Sequence, residues 1–352
     1  MKIVINRTDA IGDSLLTLPV CECLRENYPE AEIYYIASQR CQGLFDLIGS
    51  QNETWFLDRK EKPWKQFFSL LNRMRKVKPD VYIHLGGSSI PSLVALLLLV
   101  PKRLGLVSKL VSWLSLNMGT RQKRTDLEQH EVEMNLEVLK PLNLNFSETY
   151  TPRVKRDEIR SDALKAQMES EFQDEMKTIF IHPGMTGHTL NWPVKNYAIL
   201  LHELQKKYPQ KFQVVLSYTD SDAPYVDQFK SQLEQTPLEN LYLLNGAEGG
   251  LKHYIECVSS ADLFIGPSTG TTHIANILSI PTLAFYSPIK AQHSRRWRPY
   301  FGDEKYLKVI EPLISCPERL ECRGESCEHY FCMEKLTVEN ALQNIENMLN
   351  LN

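Results

Sequence analysis

No apolar run in this chain is long enough to cross a membrane. The densest, Leu93 to Val100, lies between Pro91 and Pro101-Lys102-Arg103 and falls far short of the ~20 residues a helical span needs. Its expected place is a buried helix. No signal peptide is visible, because Lys2-Ile3-Val4-Ile5-Asn6 runs straight into Arg7-Thr8-Asp9, and the expected compartment is the cytoplasm. No G-x-G-x-x-G follows the first predicted strand, which disfavours a dinucleotide oxidoreductase, and the lack of a Walker A lysine motif argues against a phosphotransferase of that class. A recognisable nucleic-acid module is missing too. Cys316, Cys322, Cys327 and Cys332 surround His329 without the C-x-x-C pairs of a zinc ribbon, so reduced thiols and no metal are expected, a structural metal being the alternative.

What is present is an ordinary soluble composition: 352 residues, 43% hydrophobic and 24% charged, enough for a sizeable core and two or three domains. The formal net charge of −3 conceals an asymmetry, since from Arg59 to Arg124 fourteen lysines and arginines stand against Glu61 and Asp80 alone. Such a stretch attracts anionic partners: a phosphorylated glycolipid, a membrane surface or, least favoured, nucleic acid. Leu104 to Met118, with Leu110, Trp113 and Leu114 among serines and Lys109, reads either as core or as a segment lying on a membrane, and core is the reading taken.

Ile3–Asn6, Glu32–Ser38, Thr54–Leu57 and Val81–Leu85 have strand character, with helical patterns near 40–49 and 64–77 between them. Val132, Leu136 and Leu139 share one helix face, and polar Asn143 to Asp157 reads as a linker. A second alternating set follows at Thr178–His182, Gln213–Tyr218, Leu241–Leu244, Asp262–Ile265 and Thr282–Tyr286, and Thr337 caps an amphipathic closing helix. Alternation of this kind predicts an α/β fold of two doubly wound halves facing a cleft, with domains at 1–155 and 156–335 and a closing helix at 336–352.

Two stretches carry the chemistry. In Phe264 to Pro288 a strand stops at Gly266-Pro267, and Ser268, Thr269, Gly270, Thr271 and Thr272 open a helix, a cluster of hydroxyl and amide donors suited to a pyrophosphate. An ordinary helix cap is the alternative; His273 is either a ligand contact or a core histidine. Thr186 and Gly187, after the strand ending at His182, suit the same diphosphate. Asp220 and Asp222 read as ribose ligands or as a solvated pair. At the end of the first strand, Arg7, Asp9 and Asp13 place two carboxylates and a guanidinium where open α/β sheets bind ligands.

The segments R-T-D-A-I-G-D-S-L-L-T-L-P, H-P-G-M-T-G-H-T-L-N-W-P and G-P-S-T-G-T-T-H-I-A-N, in that order, resemble the bacterial heptosyltransferase family of lipopolysaccharide core assembly. The resemblance implies a GT-B fold with two Rossmann-like domains, and a metal-independent, inverting glycosyltransferase moving heptose from ADP-heptose to an anionic lipopolysaccharide precursor, without a cofactor. It implies Asp13 as general base, leaving Asp9 as a structural partner of Arg7 or a helper; the alternative reading of both aspartates is as helix N-caps, the role favoured for Asp9. The donor would lie on Thr186, Gly187, Ser268, Thr269, Gly270, Thr271, Thr272 and His273, the acceptor on Arg7, Arg121, Lys123 and Arg124. Peripheral contact with the cytoplasmic face of the inner membrane fits that role. Relatives often carry a basic residue before the W-P pair, where this chain has Leu190-Asn191, leaving His188, Lys195 or the other domain to supply the cation. Transfer of a different nucleotide-activated sugar, or a non-catalytic glycolipid-binding protein of the same fold, are the alternatives.

Overall fold

The computed structural model describes residues 1–107, 109–122, 129–185, 190–233, 237–302 and 304–351. They form two units, the first taking the described residues up to Arg156 and the second those from Asp157 onward.

In the first unit the chain runs β1 (Lys2–Arg7), α1 (Ile11–Leu15), α2 (Leu18–Asn27), β2 (Glu32–Ser38), α3 (Gln42–Leu47), β3 (Glu53–Leu57) and α4 (Pro63–Val77). It continues through β4 (Val81–Gly86), α5 (Ile90–Leu97), β5 (Lys102–Leu106), α6 (Leu110–Ser115), β6 (Met118–Thr120) and α7 (Glu131–Glu137). The strands are parallel in the order β3-β2-β1-β4-β5-β6. Helices cover both faces, so Ile3, Val4 and Ile5 are wholly buried and the strand sequence is continuously apolar. On one face Leu70 and Met74 of α4 and Val94 and Ala95 of α5 pack over Val4, Ile36 and Tyr82. Residues 143–157 are not a free linker: Gly49 N–H donates to Arg153 O at 2.7 Å, Lys155 N–H to Leu47 O at 2.9 Å, and Tyr150 is buried.

Two expectations fail here. α5 is only half buried, with Leu93 40% and Leu97 59% accessible, and α6 is not core, since Leu110, Trp113 and Leu114 are 71%, 57% and 59% accessible. In α6 the residues turned inward are Ser112 and Ser115, whose hydroxyls donate to the carbonyls of Lys109 at 2.8 Å and Val111 at 2.7 Å. A hydroxyl satisfied on its own helix can be buried cheaply, so small serines fill the contact and the large apolar side chains stay outside.

The second unit contains α8 (Ala163–Met168), β7 (Lys177–Ile181), α9 (Val194–Lys207), β8 (Phe212–Tyr218), α10 (Ala223–Leu233), β9 (Leu241–Asn245) and α11 (Gly250–Val258). Then come β10 (Leu263–Pro267), α12 (Gly270–Ile277), β11 (Thr282–Phe285), α13 (Ser294–Trp297), β12 (Leu307–Ile310) and α14 (Val338–Leu349). Its parallel order, β12-β11-β10-β7-β8-β9, repeats that of the first unit strand for strand. The closing helix is part of this unit: Thr337 accepts the Asn340 N–H at 3.2 Å, and Ala341, Ile345 and Leu349 join a core that includes Trp192 and Phe285. Those two rings stack at 4.2 Å, and the indole N–H donates to Leu336 O at 2.8 Å, so Trp192 ties the start of α9 to the approach to α14. Strands β5, β6 and β12 have no counterpart in the sequence reading, being short and, in β5, opened by Lys102-Arg103 and interrupted by Gly105. Among the described residues no helix is long and apolar enough to cross a membrane.

Candidate functional site

In an open parallel sheet the binding crevice forms where the strand order reverses, outside the carboxyl ends of the strands. In the first unit that point lies between β1 and β4. Arg7, at the end of β1, is 3% accessible; its Nη1 donates to Leu85 O at 2.5 Å, its Nε lies 3.0 Å from Asp9, and its Nη2 pairs with Asp13 and with Glu131, the latter at 3.4 Å. Burial alone lowers the affinity of Arg7 for its proton, but Asp13, Glu131 and Asp9 together outweigh it and hold the guanidinium charged. The expected role of Arg7 in acceptor binding is therefore corrected: the side chain is enclosed and engaged by protein groups. Glu131, fully buried on α7, is its innermost carboxylate.

Asp13, in the first turn of α1, keeps its side chain 20% accessible while Arg7 holds one oxygen. Asp9 is not a helix cap, since Ala10 occupies that position. It pairs with Arg7, and Arg59 stands 3.8 Å from its other oxygen. Burial raises the pKa of Asp9, with Arg7 opposing.

Gly86 and Gly87, at the end of β4, close the crevice floor. A Cβ on Gly86 would lie 2.5 Å from the Asp9 carboxylate and one on Gly87 2.2 Å from the Thr8 hydroxyl, and φ is +80° at Gly87. The Ser88 N–H donates to Thr8 Oγ1 at 2.7 Å, and Asn6 donates to the carbonyls of Gly86 and Ser88 at 3.0 and 3.1 Å. Beside this floor is a cavity of about 370 Å³ lined by Thr8, Asp9, Arg59, Gln66, Gly87 and Ser88. Arg121 is exposed beyond β6, three strands from β1; Lys123 and Arg124 lie outside the described residues.

In the second unit the order reverses between β7 and β10. α12 begins one residue after Thr269, which makes no side-chain capping bond to the first turn. Ser268, Thr269, Gly270 and Thr271 are partly exposed, with Thr269 Oγ1 and Thr271 Oγ1 2.8 Å apart. Thr272 and His273 lie deeper: Thr272 is buried with its hydroxyl donated to Pro267 O at 2.5 Å, and His273 is 5% accessible. On the neighbouring strand end, buried His182 donates from Nδ1 to Ser217 O at 3.1 Å and faces Asp222 at 3.9 Å. Burial lowers its pKa, with Asp222 opposing.

Asp222 is neither solvated nor open to a ribose. It is 3% accessible and accepts from the Thr219 N–H at 3.0 Å, and a Cβ on Gly184 would meet it at 2.6 Å. Thr186, Gly187 and His188 lie outside the described residues. Asn191, in place of the expected cation, donates to Pro183 O at 2.7 Å and accepts from Tyr197 at 3.0 Å, whereas Lys195 sits 3.9 Å from Glu334. Cys322 and Cys327 accept the N–H groups of Gly324 and His329 at 3.3 and 3.4 Å. Burial raises the pKa of Cys316 and Cys332, and among the described residues no three ligating side chains are grouped to hold a metal ion.

Sequence reasoning missed Glu131, Arg59 and the Gly86-Gly87-Ser88 turn. The turn had a signal, a buried strand followed by small residues, the same pattern that marked Gly266 to Thr272. Glu131 had none, being one acidic residue at the start of a helix 124 positions from Arg7.

Residues 67–317 match the family profile of glycosyltransferase family 9 (heptosyltransferase). The chain is similar to lipopolysaccharide heptosyltransferase 3 of Escherichia coli (strain K12), 24% identical over 88% of this chain and 95% of that protein. It is also similar to a lipooligosaccharide heptosyltransferase 2 of Campylobacter jejuni, 19% identical over 99% of each. Among solved structures, E. coli ADP-heptose LPS heptosyltransferase II superposes with a TM-score of 0.78 at 20% identity, covering 100% of this chain and 99% of that one. E. coli heptosyltransferase WaaC with ADP superposes with 0.72 at 16%, covering 99% and 100%.

Proposed function

From the premise that the chain belongs to glycosyltransferase family 9, we propose that this GT-B glycosyltransferase transfers heptose from ADP-heptose, with inversion, to a lipopolysaccharide inner-core acceptor. The observation that carries the reading is the buried Arg7 guanidinium holding Asp13 as an oriented, partly exposed carboxylate at the reversal point of the first sheet. In the reaction the acceptor hydroxyl oxygen attacks the anomeric carbon and the bond from that carbon to the diphosphate oxygen breaks. ADP leaves with the electron pair, and the hydroxyl proton passes to Asp13. Arg7 holds one Asp13 oxygen and fixes its rotamer; Glu131 and Asp9 fix Arg7 in turn.

The donor diphosphate is assigned to Ser268, Thr269, Gly270 and Thr271, with Thr186 and Gly187, where hydroxyls and the first-turn amides of α12 meet developing negative charge. No cofactor and no metal ion is part of the proposal. Arg59 and the small residues Gly87 and Ser88 favour the adjoining cavity, which Asp9 and Glu61 also line, for the acceptor's hydroxyls and anionic groups. The acceptor is amphiphilic, which puts the reaction at the cytoplasmic face of the inner membrane.

Incubating the protein with a lipid-linked core acceptor and ADP-heptose, UDP-hexose or GDP-hexose, read by mass, tests this. One added heptose is expected from ADP-heptose alone, and a product formed only from another donor would overturn the sugar assignment. Calorimetry should find ADP bound roughly tenfold more weakly by Thr269→Val, which loses a hydrogen bond to a charged group, and at least as weakly by Gly270→Val, whose side chain would obstruct the approach of the diphosphate to the backbone. Thr272→Val should instead lower the melting temperature and leave ADP affinity alone, because its hydroxyl serves Pro267. Arg59→Ala should raise the acceptor KM several-fold at low salt, with the donor KM unchanged; an unmoved acceptor KM would remove the adjoining cavity from the acceptor site.

A further inference from the structure

In the first unit α4 packs beside α5 and α5 beside α6, so the three helices form one layer over the sheet. Six of their outward side chains are large and apolar: Trp64 57%, Phe68 60%, Leu97 59%, Leu110 71%, Trp113 57% and Leu114 59% accessible. Packing does not explain this choice, because α6 buries its serines and exposes its leucines and tryptophan, the reverse of a helix whose outer face meets only water. The basic stretch overlies the same elements, with Lys62, Lys65, Arg73, Lys76 and Lys109 exposed on or beside these helices.

We infer that the outer face of α4, α5 and α6 docks on the surface of a bilayer containing anionic lipid, its tryptophans and leucines seated at the headgroup boundary and its lysines on lipid phosphates. Tryptophan is the side chain most at home at that boundary, and apolar insertion combined with a cationic rim is what holds a protein on, rather than across, a membrane. A second copy of the chain fits poorly, since lysine is depleted in protein interfaces and two such faces would repel. The inference rests on the proposed function only in giving the docking a purpose, namely bringing the enzyme to an acceptor held in lipid.

Co-sedimentation with vesicles of phosphatidylcholine, with and without phosphatidylglycerol, tests it without any sugar substrate. Binding is expected with phosphatidylglycerol and roughly tenfold weaker without it or at high salt. Leu110→Ser, Trp113→Ser and Leu114→Ser together should abolish binding while the melting temperature holds, and Lys62→Gln, Lys65→Gln and Lys76→Gln should remove the preference for anionic lipid. Tryptophan emission should shift to the blue on vesicles, and Trp64→Phe with Trp113→Phe should remove the shift, a readout that survives if the serine variant folds poorly. Undiminished vesicle binding by the serine variant would overturn the inference. So would a wild-type dimer in light scattering that the serine variant turns into a monomer, with neither binding vesicles. Failure of heptose transfer to every acceptor alongside intact vesicle binding would count against the enzyme reading and leave the docking face standing.

Discussion

Asp13→Asn is expected to lower the single-turnover rate of transfer by ~10²- to 10⁴-fold, about 3 to 5 kcal/mol of transition-state stabilisation. The substitution keeps size and most hydrogen bonding but accepts no proton, so it isolates base catalysis from structure. Folding should tolerate it: Asp13 is partly exposed, and Arg7 retains Asp9, Glu131 and the Leu85 carbonyl. ADP affinity should hardly move, because the donor is assigned to the other unit. At Asp9 the same change should cost less in rate and more in melting temperature, since Asp9 bridges Arg7 and Arg59 and lies against Gly86. A wild-type single-turnover rate in Asp13→Asn, with donor and acceptor saturating, would transfer the role of base to another group.

Arg7→Met should be the most destabilising single change in the first unit. Glu131 has no accessible surface, and removing Arg7 takes away the cation that it shares with Asp9 and Asp13, a loss typically of ~3–5 kcal/mol for a broken buried ion pair. Adding Glu131→Gln should recover much of that stability without recovering the rate, because Asp13 would still lack the group that orients it. Hydrogen exchange on peptides from β1 and β4 locates the effect in this unit, which a melting curve of a two-unit protein does not. Unchanged protection in Arg7→Met would mean that the ion cluster does not organise the crevice.

Which parts were legible in the sequence follows from what each residue does. β2 was read over Glu32–Ser38, the bounds it has, because a strand covered on both faces must be apolar throughout. β6 and β12 escaped because three or four residues at a sheet edge carry too little pattern to separate from loop. Ser268 to Thr271 were legible as a turn into a helix; that Thr272 points inward was not, since the rotation of a helix about its axis is set by what it packs on. For Arg7 the residue type was seen and its direction misread, because three carboxylates converging on one cation is a long-range fact. α6 defeats periodicity altogether: its hydrophobic stripe is real and faces away from the core.

The two sheets share one strand order, so the reversal between first and fourth strands occurs twice in the chain, at Arg7 to Asp13 with Gly86 to Ser88, and at His182 to Met185 with Pro267 to Thr271. The same architectural address carries an arginine held by three carboxylates in one half and, beside the His182–Asp222 pair, a run of hydroxyls in the other. Divergence of this enzyme toward a new sugar or a new acceptor therefore requires no change of framework, only rewriting of one of two short pairs of loops, and each pair varies independently of the other. On the proposed assignments, a combinatorial library confined to residues 268–271 would explore donor choice, and one at Ser88 with its cavity neighbours Arg59 and Gln66 acceptor choice, with the two searches run separately and their winners combined.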